Sequence, residues 1–270
     1  MATLQATVEA IVPLDATLER EVHGRLDNLT KPRGSLGVLE DVALRYCLIT
    51  ATAEPSLGRK KIFTFAGDHG VAAEGVSAYP QAVTPQMVRN MLAGGAAVNV
   101  LARHVGAEVS VVDIGVDDPL EGASGLHRAK IRPGTANIAK GPAMEVSEAA
   151  RAVEIGIGLA VEASAAGFTL IGGGDMGIAN TPSASALFAA LLPSPAEETT
   201  GRGTGIDEAT LVRKIAVVEQ ALAVNRDRLA DPLATLAALG GLEIAGICGL
   251  VLGAAAHRVP AVVDGFIATA

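Results

Sequence analysis

Residues 171–181 read IGGGDMGIANT, in which four glycines and one carboxylate, Asp175, follow directly on the apolar run FTLI. Glycine admits left-handed backbone and close approach of a partner, and so leaves main-chain N–H groups free to point at an anion such as a phosphate. The run therefore predicts left-handed or tightly approached backbone at Gly172, Gly173, Gly174 and Gly177. A plain strand-to-helix connection has the same composition, so taken alone the segment leaves both readings open. A second glycine-rich stretch, TGRGTG at 200–205, also precedes a helical pattern. Neither matches the P-loop signature GxxxxGK[ST]. As a pair they can enclose one phosphate-bearing ligand at a sheet edge, with Arg202 or Lys214 as cationic partner. Each of those two residues is equally consistent with an ordinary surface cation. In GDHGV at 67–71, Asp68 stands beside His69. Without further spaced ligands this reads as a loop-stabilising hydrogen-bond pair rather than a metal site. His23, His104, His127 and His257 add no HxH or HExxH spacing, and no GxSxG elbow offers a nucleophilic serine. The segment VSAYPQAVTPQM at 76–87 brings Tyr79, Gln86 and Met87, groups that suit a flat heteroaromatic ring or simply pack.

These residues need a scaffold, and the flanking patterns describe one. KIFTFAG, AEVSVVDIG, FTLI and VPAVVDGF are β-type runs, with a strand expected over 109–114. Helical periodicity appears from Pro85 to about Ala102, with Thr84 as N-cap, from Ser147 onward, over SASALFAALL and over ATLVRKIAVVEQALAV. Strands alternating with helices at this spacing predict an α/β fold with a largely parallel, Rossmann-like sheet flanked by helices. The carboxyl ends of its strands would carry Asp68, Asp113, Asp175 and Asp264, the edge where open α/β sheets bind ligands. Residues 4–50 read as two helices about the breaker LTKPRGSLG. The domain expectation is a small helical subdomain over 1–58 and a phosphoribosyl-binding α/β domain over 59–270.

Composition bounds the function. Half of the 270 residues are apolar, aromatics are 3% and tryptophan is absent, so helices should approach the sheet through small side chains. A net charge of −8 without any basic stripe argues against nucleic-acid binding. Cys47 and Cys248 lack CxxC spacing and read as reduced, buried thiols. The acidic N-terminus lacks the basic region of a secretory signal, and the apolar segment Ile244–Ala256 is too short to span a bilayer and reads as a buried helix. The expectation is a cytoplasmic protein without membrane contact.

LTKPRGSLG at 29–37, FAGDHGV at 65–71, VSAYPQAVTPQM at 76–87, the NVLAR helix, VVDIGV at 111–116, GTANI at 134–138, GDMGIANT at 174–181, GRGTG at 201–205 and VDGFI at 263–267 occur in one order along the chain. In that order they resemble the blocks of the nicotinate-nucleotide–dimethylbenzimidazole phosphoribosyltransferase family of cobalamin lower-ligand synthesis, over nearly the whole chain. The resemblance implies transfer of phosphoribose from nicotinate mononucleotide to 5,6-dimethylbenzimidazole, with inversion at the anomeric carbon, no metal or other cofactor, and a homodimer. It implies a phosphoribosyl site built from Gly174, Met176, Gly177, Asn180, Thr181, Gly203, Thr204 and Gly205, with Asp264 nearby. Ser77, Tyr79, Gln86 and Met87 would line the benzimidazole slot. Asp175 would meet the ribose or its developing positive charge, and Lys214 the phosphate or an acidic neighbour.

Two departures accompany the resemblance. Asp175 stands where the family motif reads Glu, one methylene shorter, and Ala179 where it usually has Gly. The family also continues past the VDGFI block, and the glutamate regarded as its catalytic base lies in that continuation, beyond Ala270. The expectation is a shortened chain whose last strand lacks its return helix. A catalytically silent nucleotide- or benzimidazole-binding paralogue, and a transferase using another azole, stay open beside the leading reading.

Overall fold

In the computed structural model, which describes residues 3–192 and 194–270, β-branched and aromatic residues of KIFTFAG form the central strand of a sheet. The elements of the first half are α1 (Leu4–Ala10), α2 (Thr17–Asp27), α3 (Val38–Thr50), β1 (Arg59–Gly67), α4 (Val83–Leu92), α5 (Ala97–Val105), β2 (Ala107–Gly115) and β3 (His127–Arg128). The second half adds α6 (Val146–Ala165), β4 (Phe168–Met176), α7 (Asn180–Leu191), α8 (Ala196–Thr199), α9 (Glu208–Val224), α10 (Pro232–Leu239), α11 (Leu242–Ala256), β5 (Ala261–Val263) and α12 (Gly265–Thr269). All strand pairs are parallel, in the order β3-β2-β1-β4-β5. The α/β class and parallel sheet are therefore as expected. The strand order reverses direction between β1 and β4, and the crevice at the carboxyl ends of those two strands is the topological switch point.

Period-two alternation assigns the two sheet faces. Phe63, Phe65, Val112 and Ile114 join the large core beneath α6 and α11, while Ala66 and Val111 turn to a smaller cluster with Val88 and Met91 of α4. Small residues set the helix spacing. A Cβ on Gly156 of α6 would lie 1.9 Å from the Gly246 carbonyl, and one on Gly249 of α11 would lie 1.9 Å from the Val153 carbonyl. A Cβ on Gly246 would lie 2.7 Å from the Phe65 ring, so α11 meets both its partner helix and the sheet through bare backbone.

Several local expectations change. The glycine run is strand rather than loop: Gly172, Gly173 and Gly174 pair with Ile62, Phe63 and Thr64 inside β4, and neither they nor Gly177 are among the residues with positive φ. Close approach is what Gly177 supplies, since a Cβ there would stand 2.3 Å from the Gly67 carbonyl. The left-handed residue of this turn is Ala179, with φ 67°, where the resembled family usually has Gly. The expected helix 85–102 is two helices broken at Gly94 and Gly95. Its cap is Ala82, and Thr84 lies inside α4, because its hydroxyl accepts the Ile178 N–H. Residues 4–50 hold three helices, and α1 packs on α6 and α11 while α2 and α3 pack on each other. The last strand is followed by the short helix α12. Cys47 is buried as expected, but Cys248 is exposed, on the outer face of α11. No helix of the described residues is long and apolar enough to cross a membrane.

Candidate active site

Three segments meet where β1 and β4 end. The turn after β1, Gly67–Gly70, is sewn to the GTANI segment: the Thr135 N–H donates to the Asp68 carbonyl and the Gly70 N–H to the Thr135 carbonyl. A Cβ on Gly70 would sit 2.7 Å from that same carbonyl, which is why glycine is needed there. The turn after β4 leads through Gly177 and Ala179 into α7, and its Ile178 N–H is held by Thr84. The third segment, the loop before α9, reaches across through Gly203 and Gly205, both at positive φ.

Between the second and third of these segments, with Val76 and Ser77 completing the wall, lies a small cavity of about 40 Å³ lined by Gly177, Asn180, Thr181, Arg202, Thr204 and Lys214, among others. It opens at the N-terminal end of α7, where backbone N–H groups without helical partners favour an anion. Lys214 is 1% exposed, and its Nζ donates to Thr181 Oγ1 at 2.8 Å and to the Gly201 carbonyl at 2.9 Å. Among the described residues no carboxylate lies within ion-pair distance of it, and burial pulls its ammonium down to about 8. A cation buried against neutral oxygens is a site for an anionic guest. Arg202 instead donates to the Ile206 carbonyl and pairs with Glu208, which holds it on the loop at the cavity mouth.

Asp175, the penultimate residue of β4, accepts a hydrogen bond from Asn180 Nδ2 at 2.7 Å. Burial, and then the negative charge of Glu243, push its carboxyl up to about 6, while Asn180 and His69 oppose the rise. Among the azole-slot residues, Ser77 lies in the cavity wall and its Oγ accepts the Tyr79 N–H. Tyr79 is 53% exposed, Gln86 projects from the exposed side of α4, and Met87 packs into the smaller cluster. The structure thus gathers Ser77, Gly177, Asn180, Thr181, Thr204 and Lys214 in one cavity. Gly174 and Met176 lie in β4 below it. Asp264, exposed at the end of β5, borders a separate apolar cleft along Gly172, Gly173 and Gly174.

The other strand-end acids are committed elsewhere. Asp113 is 1% exposed, pairs with Lys130 and accepts the Val116 N–H. Asp68 is 2% exposed, accepts the Asp117 N–H at 2.8 Å, and is pushed up by burial. Nor is Asp68 the partner of His69. That imidazole, fully buried, meets Glu243 Oε1 through Nε2 at 2.5 Å and Ser183 Oγ through Nδ1 at 3.1 Å. Burial works to lower the His69 value, but the Glu243 carboxylate outweighs it and holds the imidazole above its ordinary range. Sequence reasoning missed Glu243, Ser183 and Thr84. The signal for Glu243 was there: one acid inside GGLEIAGICGLVLG, an otherwise apolar helix. No group of three or more His, Cys, Asp or Glu among the described residues could hold a metal ion.

Residues 11–270 match a family model described as Phosphoribosyltransferase. The nicotinate-nucleotide–dimethylbenzimidazole phosphoribosyltransferase of Chlorobaculum tepidum is 56% identical over 265 residues, which is 98% of this chain and 75% of that one. The protein of the same name from Chlorobium chlorochromatii is 58% identical over 98% of this chain and 75% of its own length, and that from Geotalea uraniireducens 56% identical over 100% and 77%. Among solved structures, CobT from Thermus thermophilus superposes with a TM-score of 0.89 at 48% identity, covering 94% of this chain and 76% of that one.

Proposed function

The chain belongs to the nicotinate-nucleotide–dimethylbenzimidazole phosphoribosyltransferase family, and from that premise we infer how its own residues carry out the transfer. The reaction moves phosphoribose from nicotinate mononucleotide to 5,6-dimethylbenzimidazole: the bond from the anomeric carbon to the nicotinate nitrogen breaks, a bond to the azole nitrogen forms, and the azole N–H proton passes to solvent, giving α-ribazole 5′-phosphate and nicotinate. The observation that carries the residue assignment is the buried, carboxylate-free ammonium of Lys214 at the start of α7.

The 5′-phosphate sits in the cavity between Gly177–Thr181 and Gly203–Gly205, where Lys214 supplies charge and the α7 N-terminus supplies N–H donors. Arg202 at the mouth adds a second cation. The nicotinate ring carries a positive charge on nitrogen, so it leaves without a proton, and catalysis becomes a matter of positioning and of supporting positive charge on the ribose. Asp175, oriented by Asn180, is the carboxylate that faces this charge, and its value of about 6 leaves it ionised at neutral pH. The azole packs on Ser77, Tyr79, Gln86 and Met87, while Gly174 and Met176 lie in the strand below the phosphoribosyl site and Asp264 stands near it on the rim of the separate cleft.

We assign the enzyme to the cytoplasm as a homodimer, with the helical subdomain expected over 1–58 reduced to α2 and α3, since α1 packs on α6 and α11. Neighbouring apolar residues on α3, Val38 at 73% exposed, Leu39 at 66% and Val42 at 58%, support a subunit contact there. Size-exclusion chromatography with light scattering should give twice the chain mass. A single-chain mass would remove the dimer.

The test of function is incubation of the folded chain with nicotinate mononucleotide and 5,6-dimethylbenzimidazole, followed by chromatography of nicotinate and α-ribazole phosphate. Equimolar release of both is expected. Thermal protection by the mononucleotide without product would favour a binding protein. Product only with another azole would reassign the acceptor.

A further inference from the structure

Glu243 and His69 have no part in the steps above, yet their placement is costly. Both are 0% exposed, and among the described residues the buried Glu243 Oε2 has no hydrogen-bond partner. Three glycines from three segments make the room they occupy. A Cβ on Gly241 would stand 2.4 Å from the His69 ring and 2.6 Å from Glu243 Oε2. One on Gly67 would stand 3.2 Å from Oε2, and one on Gly177 would stand 3.3 Å from Oε1. A buried ion pair is poor evidence of a need for stability, because apolar residues of similar volume commonly stabilise as well or better. Its position is more telling. It lies at the topological switch point, at the first turn of α11, directly beneath the turn that carries Asp175 on one side and Asn180 on the other.

We propose that Glu243 and His69 are positioning residues for the transfer: the pair props the Met176–Gly177 turn from below and sets the electrostatic field at the Asp175 carboxylate. This rests on the transferase reading given above, in which Asp175 works as a carboxylate. The groups facing Asp175 are Glu243 from α11, His69 from the turn after β1, Asn180 from α7 and Asp264 from the end of β5. His69 in turn faces Asp68 and Ser183. Within this set the two members of the pair act on Asp175 with opposite sign. Glu243 disfavours the carboxylate and His69, as imidazolium, favours it. Paired, they hold Asp175 short of full ionisation until about neutral pH. Removal of either member leaves the other buried without a counter-charge, so it neutralises and both influences on Asp175 vanish together.

Glu243→Gln and His69→Asn are the decisive variants, compared with the unaltered protein by the pH profile of kcat/KM and by carbon-13 NMR titration of the Asp175 carboxyl, assigned through Asp175→Asn. Because Glu243 is the stronger of the two influences, both variants should move the acidic limb and the carboxyl titration down. Both should lower kcat at the plateau more than they raise KM. A purely structural pair would lower melting temperature and activity while leaving the limb and the titration where they were, and that result overturns the proposal. If neither variant folds, Ser183→Ala, which removes only the Nδ1 partner and so drives the pair toward its neutral form, must move the limb down. An unmoved limb in a folded Ser183→Ala protein overturns it equally. Absence of any product from the unaltered protein would count against the transferase reading instead, and the carboxyl titration would still decide the pair.

Discussion

Lys214 offers the sharpest test of the anion site, because its burial has a measurable protonic consequence. In the free protein its ammonium titrates at about 8 instead of 10.5, with burial as the cause. A phosphate placed against Nζ restores the charged form, so ligand binding above pH 8 must take a proton from solution. With a free value of about 8 and a bound value well above it, uptake should be about 0.7 of a proton at pH 8.5 and about 0.1 at pH 7. At pH 8.5 the phosphate is fully dianionic and Asp175 is ionised, so neither supplies that proton. Calorimetric titration of nicotinate mononucleotide in buffers of different ionisation enthalpy reads the uptake directly, and Lys214→Met should abolish it. Stability follows the same linkage. The unfolded chain binds more protons than the folded one between about pH 8 and 10.5, so stability should rise across that window. The undiscounted penalty at neutral pH is about 3 kcal/mol, or about 1–2 kcal/mol once screening through the exposed 201–205 loop is allowed for. Lys214→Met should therefore bind the mononucleotide far more weakly while melting no lower than the unaltered protein. Uptake below about 0.2 of a proton at pH 8.5, or equal uptake in Lys214→Met, would refute the assignment.

Other perturbations separate chemistry from scaffold. Asp175→Asn should lower kcat by roughly a hundredfold at pH 7.5. The folded Asp175 holds its proton to about pH 6, so its ionisation costs stability as pH rises from about 4 through 6. The Asn variant should therefore melt no lower at pH 7.5, and its relative advantage should vanish toward pH 4; near-native kcat would remove Asp175 from the mechanism. Gly249→Ala should cost about 3 kcal/mol in denaturant unfolding, because its Cβ would enter the Val153 carbonyl. Gly158→Ala, on the facing helix with nothing within 4 Å, should stabilise by about 0.5–1 kcal/mol; equal effects would discount the close helix contact. Tyr79→Ala should raise the azole KM about tenfold and leave stability within about 0.5 kcal/mol, measured by steady-state kinetics and thermal melts.

The parallel sheet was legible because its strands are short β-type runs separated by helical periods, and the site's location followed from the rule about carboxyl edges. The block order carried the assignment of Asn180 and Thr181 to the phosphoribosyl site and of Ser77 to the azole slot, and one cavity holds all three together with Lys214. Misreadings share a cause. Glycine in a sequence marks either conformational freedom or lack of room, and the packing around it decides which. At Gly172–Gly174 the backbone is ordinary strand, while at Gly67, Gly177 and Gly241 glycine clears space for a buried carboxylate and imidazole that lie 174 residues apart in the chain. Asp68 and His69 look like partners because they are adjacent, yet neighbours on an extended backbone point to opposite sides. Capping is the commonest local use of threonine before proline, but the partner of Thr84 in the fold, the Ile178 N–H, is 94 positions away.

The bare-backbone contact between α6 and α11 also bears on how the protein wears out. Helices spaced by side chains can slide as those side chains change rotamer. Here the carbonyls of Val153 and Gly246 abut the opposing glycines, leaving no soft layer to shear. Glu243 sits at the leading end of that slab, so the floor beneath Asp175 cannot loosen unless the slab itself comes apart. Heating should therefore abolish turnover and tertiary structure in a single event, with no temperature range in which a folded but idle enzyme accumulates.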